Sequence, residues 1–391
     1  MSNFCRYTPS TASKQIARFP ANYPAEIVSA KGAYIKDKEG RKYLDFCCAL
    51  GPIILGYRFD EVDNAVIKAI RDEGTVFTLS HPKERALANI LCEMIPCAEM
   101  VRFAQNGKDV TEAAIRLARH ITSNELILSF SYHGCSDVFM ACTKADKGVP
   151  QCLKLTITDF DYNDIKTVNQ LFEKHKVAGV ILEPHTIRRP RENFLSELRA
   201  LCDFYGALLI FDEVVSFPRY PQFSAQAYFG VTPDLCCVSK GMANGYPISA
   251  LVGKKKYMEW LRDNGVFFST TFGGNLVGVS AAIATLNFIK EHNVPEYLWE
   301  LGAALKVEAN DKMRFNGLKC RQFMKCEDDV RQKIWQEMIK QDVFFHVPIF
   351  FNYSMTIEEM IETGRKLDQT IASLDTTEIQ GHTISEVFKK V

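Results

Sequence analysis

The 391-residue sequence lacks several features that would point to particular classes of protein. It has no apolar run near the ~18 residues that a membrane span needs, and residues 1–20 contain no stretch typical of a signal peptide. Lys+Arg and Asp+Glu both number 47, so the net charge is +0. Nothing in that balance indicates nucleic acid or a membrane as a partner. We therefore expect a cytoplasmic protein.

The cysteine pattern is also missing the spacing of a metal site. The 13 cysteines are odd in number, and none are spaced as CxxC. Cys236 and Cys237, in the segment DLCCVSK, lie within an apolar run, as free buried thiols do. We expect no bound metal. No GxGxxG follows an early strand, so a nicotinamide-dependent oxidoreductase lacks support.

The middle of the chain has the pattern of an α/β fold. From about residue 100 to 250, short apolar runs alternate with longer helical patterns, which predicts βαβ units around a mostly parallel sheet. VAGVIL (177–182) and ALLIF (207–211) have the continuous apolar character of buried parallel strands. The segment between them predicts a crossover helix that ends at Gly206. Another helix follows AQNGKD, with one apolar face formed by Val110, Ala114, Leu117, Ala118 and Ile121.

The two ends of the chain have a different pattern. A helix is predicted from about Val277 to Lys290, and TIEEMIETGRKLDQTIASL predicts a later amphipathic helix. The segment KGAYIKDKEGRKYLDF (31–46) predicts a β-hairpin that turns at residues 38–40. We expect three parts, which are an N-terminal segment (1–50) joining the small domain, a large domain (51–275) and a small α+β domain (276–391).

Three ionisable residues follow predicted strands. Glu183 follows VAGVIL, Asp212 follows ALLIF, and Lys240 follows LCCVS. Ligands of open α/β sheets bind at such strand ends. The three side chains form either salt bridges and solvated loop charges, or a Schiff-base lysine with an acid that keeps a pyridinium nitrogen protonated. Spacing alone favours the first alternative.

The sequence around these residues resembles that of a known family. ALLIFDEVVSFPR and TPDLCCVSKGMANGYPISALVG resemble the core signature of class III pyridoxal-5′-phosphate (PLP) aminotransferases. Within that class the match is closest to the glutamate-1-semialdehyde 2,1-aminomutase-like branch, through VRFAQNGKDVTEAAIRLAR, SFSYHGCSD, ALGPIILGY, ILEP and STTFGGN. The resemblance runs from about Tyr23 to Leu374. It implies an α/β protein with the type I fold of PLP-dependent transferases, whose large domain has a mostly parallel seven-stranded sheet.

The resemblance implies the roles of four residues. Lys240 would carry PLP as a Schiff base and move a proton between substrate and cofactor, while Asp212 would pair with the pyridine nitrogen. The backbone N–H groups of Gly107 and Lys108 would bind the phosphate at a helix start. Lys108 departs from the family, which has a hydroxyl residue there, so its side chain either adds charge or points to water.

The resemblance also implies contacts around the pyridine ring of PLP. Tyr132 would stack on one face and Val214 would press on the other, while His133 would order the local turn. Glu183 would contact the cofactor or support the substrate pocket. Thr271 matches a threonine that reaches the phosphate of the neighbouring subunit's cofactor, so we expect a homodimer with shared active sites.

Substrate residues are the least defined part of the resemblance. In this branch a GNxG-like motif follows the EP dipeptide, and this chain has EPHTIRRPRENF there instead. Its Arg188, Arg189 and Arg191 form a solvated basic loop, or one of them, such as Arg188, grips a carboxylate or phosphate. Lys14 and Arg18, in TASKQIARFP, match a segment that lines the substrate entrance.

The implied reaction is transamination in a ping-pong cycle. An amino donor would pass its amine through PLP to a small aldehyde, ketone or keto-sugar acceptor. An aminomutase or a PLP decarboxylase would use the same lysine and aspartate, and both stay open. A non-catalytic binding protein on this fold is a third alternative, against which the intact Lys240 and Asp212 argue.

Overall fold

A computed structural model describes residues 19–262, 265–308 and 311–379. They begin with three short antiparallel strands, β1 (Ile27–Lys31), β2 (Tyr34–Asp37) and β3 (Lys42–Asp45). The turn between β2 and β3 contains Gly40 at φ 92°, a conformation that glycine adopts because it has no Cβ. Ile35 lies opposite Tyr43 across this pair, so the predicted hairpin is confirmed.

A seven-stranded sheet forms the centre of the molecule. Its strands are β4 (Met100–Ala104), β5 (Leu126–Phe130), β6 (Ile157–Asp159), β7 (Val177–Leu182), β8 (Leu208–Asp212), β9 (Leu235–Val238) and β10 (Ser249–Gly253). They lie in the order β4-β10-β9-β8-β7-β5-β6, and β10 runs antiparallel to its two neighbours. The other pairs are parallel. The predicted mostly parallel seven-stranded sheet is confirmed.

Helices connect these strands. Those before and within the sheet are α1 (Asp60–Asp72), α2 (Pro82–Met94), α3 (Gly107–Thr122), α4 (Asp137–Met140), α5 (Ile165–Lys174), α6 (Phe194–Tyr205), α7 (Ala225–Phe229) and α8 (Lys255–Met258). α6 crosses from β7 to β8 and stops at Gly206, whose φ of 69° closes the helix as predicted. α3 buries Val110, Ala114 and Leu117, which lie on the predicted apolar face.

The apolar side chains of the central strands alternate between two buried clusters. Leu128, Val180 and Leu209 belong to one cluster, while their strand neighbours Ile127, Ile181 and Ile210 belong to the other. Successive side chains of a strand point to opposite faces, so the two clusters lie on the two faces of the sheet. α3 covers one face, and α1, α2 and α6 contribute to the cluster on the other. Because helices cover both faces of the sheet, polar side chains gather at the ends of the strands.

The C-terminal part adds helices and a second sheet. Its helices are α9 (Leu276–Glu291), α10 (Val294–Ala304), α11 (Asp328–Lys340) and α12 (Ile357–Ala372). Its strands are β11 (Arg314–Leu318), β12 (Arg321–Lys325), β13 (Val343–Phe344) and β14 (Ile349–Phe350). β11, β12 and β14 form an antiparallel sheet, while β13 pairs in parallel with β3 near the N-terminus. The division at residues 50 and 275 stays a prediction. No helix within the described ranges has both the length and the apolar character required to cross a bilayer.

Candidate active site

Four segments converge at one edge of the central sheet. Ser131 follows β5, Glu183 follows β7, Asp212 ends β8, and Lys240 follows β9 with one residue between. These four strands are mutually parallel, so their carboxyl ends share an edge. β4 is parallel to β9 because both are antiparallel to β10, which brings the first turn of α3 to the same edge. Ligands of open α/β sheets bind at this edge.

Lys240 begins a short 3-10 turn, Lys240–Ala243, and has a left-handed φ of 43°. Such a conformation is costly for a non-glycine residue and is found most often at functional sites. Burial lowers the pKa of the Lys240 amine, and the positive charge of Arg321 lowers it further, against the opposing effect of Glu183 and Asp212. A larger share of the amine is therefore uncharged and able to act as a nucleophile.

Asn244 fixes the turn that carries Lys240. Its Oδ1 accepts hydrogen bonds from the N–H groups of Ile54 and Leu55, at 3.0 and 2.9 Å, and its Nδ2 donates to the carbonyl of Gly56 at 2.9 Å. All three of these backbone groups belong to ALGPIILGY, one of the segments that carry the family resemblance. The lysine is consequently held against a loop nearly 190 residues away in sequence.

Asp212 is 4% exposed and has two hydrogen-bond partners. Its Oδ2 lies 2.7 Å from Nδ1 of His133, and its Oδ1 accepts from the N–H of Val214 at 3.0 Å. The His133 side chain is fully buried, and its Nε2 has no hydrogen-bond partner among the described residues. The pair orients the carboxylate, a contact that no sequence motif indicates, and the ordering of the local turn by His133 stays a prediction.

The start of α3 offers unpaired backbone donors. The N–H groups of Gly107 and Lys108 head the helix, where no earlier turn supplies acceptors, and the helix dipole adds partial positive charge. A Cβ on Gly107 would lie 3.0 Å from Cγ1 of Val214, so the glycine allows close packing there. Asp109 caps the helix by accepting from the N–H of Asn106 at 2.9 Å. The Lys108 side chain is exposed.

Glu183 forms an ion pair that the sequence did not reveal. Its Oε2 lies 2.7 Å from Nη1 of Arg321, in β12, and its Oε1 accepts from the Ser131 hydroxyl at 2.5 Å. Burial alone would raise the pKa of Glu183, but the charge of Arg321 and these two hydrogen bonds hold it below its ordinary value. Glu183 is therefore a stable anion at neutral pH. RQFMK carries no motif by which Arg321 could have been found.

His185, two residues after Glu183, was also missed. It is 1% exposed, and its Nε2 has no hydrogen-bond partner among the described residues. Burial, followed by the charges of Arg321 and Arg189, lowers its pKa to about 3. The imidazole is therefore neutral under ordinary conditions.

The remaining predicted residues lie in different settings. Arg188 is exposed, whereas Arg189 donates through Nη2 to the carbonyl of Gly317 in β11 at 2.8 Å. Tyr132 is 46% exposed, and Thr271 is exposed. Lys14 and Arg18 lie outside the described residues. Within the described ranges, no group of three or more His, Cys, Asp or Glu side chains is arranged to hold a metal ion.

Comparison with known proteins shows to which family the chain belongs. The family description "Aminotransferase class-III" matches residues 16–314, which is more than half of the chain. The chain belongs to the class III aminotransferases. Among class III relatives, it is 34% identical to the 3-aminobutyryl-CoA aminotransferase of Cloacimonas acidaminovorans, over 91% of each protein. It is 37% identical to glutamate-1-semialdehyde 2,1-aminomutase 2 of Lachnoclostridium phytofermentans, over 74% of this chain and 72% of that protein.

A solved structure supports the fold of this class III chain. The PLP internal aldimine form of the FumI protein of Sphingopyxis sp. MTA144 matches it with a TM-score of 0.86. The two are 28% identical, and the match covers 95% of each chain. The type I fold of PLP-dependent transferases, inferred from the sequence, is confirmed.

Proposed function

We propose that the protein is a PLP-dependent aminotransferase in which Lys240 is the covalent attachment point of the cofactor, through a Schiff base. One observation carries the proposal, which is that Lys240, the buried Asp212 and the open start of α3 share one edge of the sheet. An amine, a carboxylate and an anion site are the groups that PLP requires of a protein.

The residues fit the cofactor. Among the described residues no carboxylate lies within ion-pair distance of the Lys240 amine, so this amine is available for a carbonyl. Gly107 packs so closely on Val214 that a Cβ there would lie 3.0 Å from Cγ1, and the N–H groups of Gly107 and Lys108 have no acceptors within the helix. When bound, PLP supplies an electron-accepting ring that stabilises negative charge at the carbon next to the substrate amine.

Lys240 would have a second task with PLP bound, which is to move a proton. Its amine, whose pKa burial lowers, can take a proton from the substrate carbon and return it elsewhere. A base of ordinary lysine pKa would be protonated at neutral pH and unable to accept that proton.

Asp212 is the residue that would hold a proton on the ring nitrogen of bound PLP. Its Oδ2 is oriented by Nδ1 of His133 at 2.7 Å, and its Oδ1 by the N–H of Val214. A carboxylate beside a protonated pyridine favours the cationic ring, which accepts electrons better than a neutral one. Tyr132 and Val214 are the candidates for contact with its two faces.

The amine acceptor is proposed to be a small aldehyde, ketone or keto-sugar derivative. An aminomutase is the second candidate, favoured by the 37% identity to glutamate-1-semialdehyde 2,1-aminomutase 2. The two differ in whether the amine leaves on a separate product, so product analysis with a single labelled substrate separates them. Release of carbon dioxide would indicate decarboxylation instead.

We also propose a homodimer in which Thr271 serves the partner's site. Thr271 is exposed, and so are the apolar side chains of Phe77, Leu79 and the adjacent Phe272. Apolar side chains of this size at a surface support a protein interface. Light scattering coupled to size-exclusion chromatography tests the dimer, and a monomer would contradict it.

The compartment is proposed to be the cytoplasm. The cysteines in the described part of the chain are all free thiols, which a reducing compartment maintains. Fractionation of the cells that make the protein tests this.

The decisive experiment maps the attachment site. The protein is incubated with PLP, reduced with borohydride and digested, and the modified peptide is sequenced. We expect the modification at Lys240, together with a visible absorbance band that bleaches when an amino donor is added. Modification at another lysine, or no stable cofactor, would contradict the proposal.

A further inference from the structure

Lys240 has a backbone conformation that its own turn does not explain. Its φ of 43° is left-handed, which is unfavourable for a residue with a Cβ and persists only where the surroundings hold it. The 3-10 turn Lys240–Ala243 has no side-chain cap at its start, and the residue that ends it, Asn244, is also left-handed with a φ of 47°. Contacts from outside the turn must therefore fix the position of the lysine.

These contacts come from Ile54 and Leu55, both fully buried. Their N–H groups donate to Oδ1 of Asn244 at 3.0 and 2.9 Å, while Nδ2 of Asn244 donates to the carbonyl of Gly56 at 2.9 Å. Asn244 is 6% exposed, so water hardly competes for these bonds. Movement of the turn away from this segment would leave buried N–H groups unpaired, which is unfavourable.

The same two residues are bound on their other side by the C-terminal part of the chain. The carbonyl of Ile54 accepts from the N–H of Tyr353 at 2.8 Å, and the carbonyl of Leu55 accepts from the hydroxyl of Ser354 at 2.7 Å. Tyr353 and Ser354 lie between β14 and α12. We call Ile54 and Leu55 the strut, because their N–H groups bind the turn of Lys240 and their carbonyls bind the segment after β14.

Packing adds a second contact between the strut and the turn. A Cβ on Gly241, the residue after Lys240, would lie 3.6 Å from Cδ1 of Ile54 and 3.2 Å from the carbonyl oxygen of Phe217. The turn therefore touches the strut beside the lysine as well as at Asn244. Contacts at both ends of so short a turn restrict rotation of the lysine backbone.

We propose that Asn244 is a positioning residue of the reaction, and that Ser354 acts through the strut and Asn244 to hold the Lys240 amine in place. The inference rests on the proposed function, because that function gives the amine its task. A misplacement of about 1 Å at a reacting group lowers a rate by roughly 10²-fold. The proposed role puts no group of Asn244 on the amino donor. Its loss should therefore lower the maximal rate and leave donor binding nearly unchanged.

The experiment measures the rate per bound cofactor. Parent and variants are loaded with PLP, and the bound PLP is quantified from its absorbance after release in alkali. Bleaching of the cofactor band is then followed in a stopped-flow instrument at increasing concentrations of an amino donor that bleaches the parent. A variant that only folds poorly binds less cofactor but keeps its rate per bound cofactor. This rate consequently separates positioning from stability.

Asn244→Gly is the main variant. Glycine adopts a left-handed φ without strain, so the substitution removes the three hydrogen bonds and leaves the backbone conformation accessible. We expect the maximal rate per bound cofactor to fall by roughly 10²-fold, with little change in the half-saturating donor concentration. Asn244→Asp keeps an acceptor for the two N–H groups of the strut but loses the donor. We expect a partial rescue, to about 10-fold below the parent.

Asn293→Gly is the matched control. Asn293 has the same φ of 47° at the start of α10, is exposed, and makes no side-chain hydrogen bond that caps the helix. The same substitution at the same backbone conformation should leave the rate per bound cofactor unchanged. A fall equal to that of Asn244→Gly would overturn the inference.

Ser354→Ala tests the far end of the strut. Loss of its single hydrogen bond to Leu55 should lower the maximal rate by about 3-fold. Combined with Asn244→Gly it should cause no further fall, because the strut is then already detached from the turn. A full additional fall in the double variant would show that Ser354 acts independently and would overturn its role through the strut.

Two further results would overturn the role of Asn244. One is a parent-like rate per bound cofactor in Asn244→Gly, and the other is a raised half-saturating donor concentration without a lower maximal rate. If Asn244→Gly binds no cofactor, Asn244→Asp and Ser354→Ala decide the matter by the same rate. The parent is measured first, and its failure to bleach with every donor would overturn the proposed function instead.

Discussion

Asp212 and Glu183 are two buried carboxylates at the ends of neighbouring parallel strands, and their partners give them different chemistry. Asp212 contacts the imidazole of His133 and a backbone N–H, and no lysine or arginine among the described residues pairs with it. Glu183 is paired with Arg321. The same position at a strand end therefore leaves one carboxylate available to a cationic ring and commits the other to a guanidinium. The partner, and not the place in the sheet, decides the role.

The substitution with the largest expected effect removes the Lys240 amine. Lys240→Ala should lower the rate of transamination by more than about 10³-fold, because both the proposed attachment point and the proposed proton carrier are lost. Steady-state rates with a reactive donor measure the effect. Circular dichroism should be unchanged, and Lys255→Ala, at an exposed lysine, serves as the control. Substantial remaining turnover would break the mechanism.

The next test converts Asp212 to a neutral side chain of the same shape. Asp212→Asn should lower the maximal rate by roughly 10²- to 10³-fold, because an amide cannot stabilise a protonated ring nitrogen. Single-turnover bleaching of the cofactor band measures this step directly. A near-normal rate would mean that the partner of the ring has been misassigned, and the contrast with Glu183 would fail.

Glu183→Gln should act mainly on stability. It leaves the buried Arg321 without its carboxylate, which should cost about 3 to 5 kcal/mol in the free energy of unfolding. Since the pKa of Glu183 is lowered in the folded protein, its contribution is complete above the ordinary glutamate pKa and is lost as the pH falls. Urea unfolding at pH 7 and pH 4 measures both. We expect a smaller difference between parent and variant at pH 4, and an equal one would contradict the ion pair as its source.

A third buried carboxylate, that of Asp45, extends the comparison, and we expect its replacement to have the smallest effect. Asp45 accepts from the Tyr57 hydroxyl at 2.6 Å and from the N–H groups of Cys47 and Cys48, and burial raises its pKa to about 6. A raised pKa means that the folded protein holds this proton more tightly. Its contribution to stability is therefore present at low pH and is lost as the pH rises through about 6.

Asp45→Asn removes that titration. Between pH 4 and pH 7 the parent should lose about 1 to 3 kcal/mol of stability relative to the variant, which has no proton to lose there. Urea unfolding of both proteins at several pH values measures the difference in slope. Parallel curves would show that the carboxyl of Asp45 titrates in its ordinary range.

Much of the fold could be predicted because local patterns carry it. The run at 177–182 is β7 to the residue, and Gly206 ends α6 as expected. Lys240 and Asp212 could be singled out because each stands in a contiguous motif at a strand end. Their catalytic roles stay predictions, as do those of Tyr132 and Thr271.

Arg321 could not be predicted, because nothing in its own segment distinguishes it. It lies 138 residues from Glu183 in sequence, in a strand that pairs with β11 and β14. The arginines that the sequence did suggest lie in a loop, where Arg188 is exposed and Arg189 binds the carbonyl of Gly317. A substrate contact by one of these arginines stays a prediction.

Hydrophobic periodicity and contiguous motifs are local properties of a chain, and they sufficed to establish the α/β architecture, the family and the candidate lysine and aspartate. Which polar side chains meet, namely His133 with Asp212 and Arg321 with Glu183, depends on the packed tertiary structure. Those contacts join segments far apart in the chain. Their strength depends on burial, which comes into being only when the separate elements pack together.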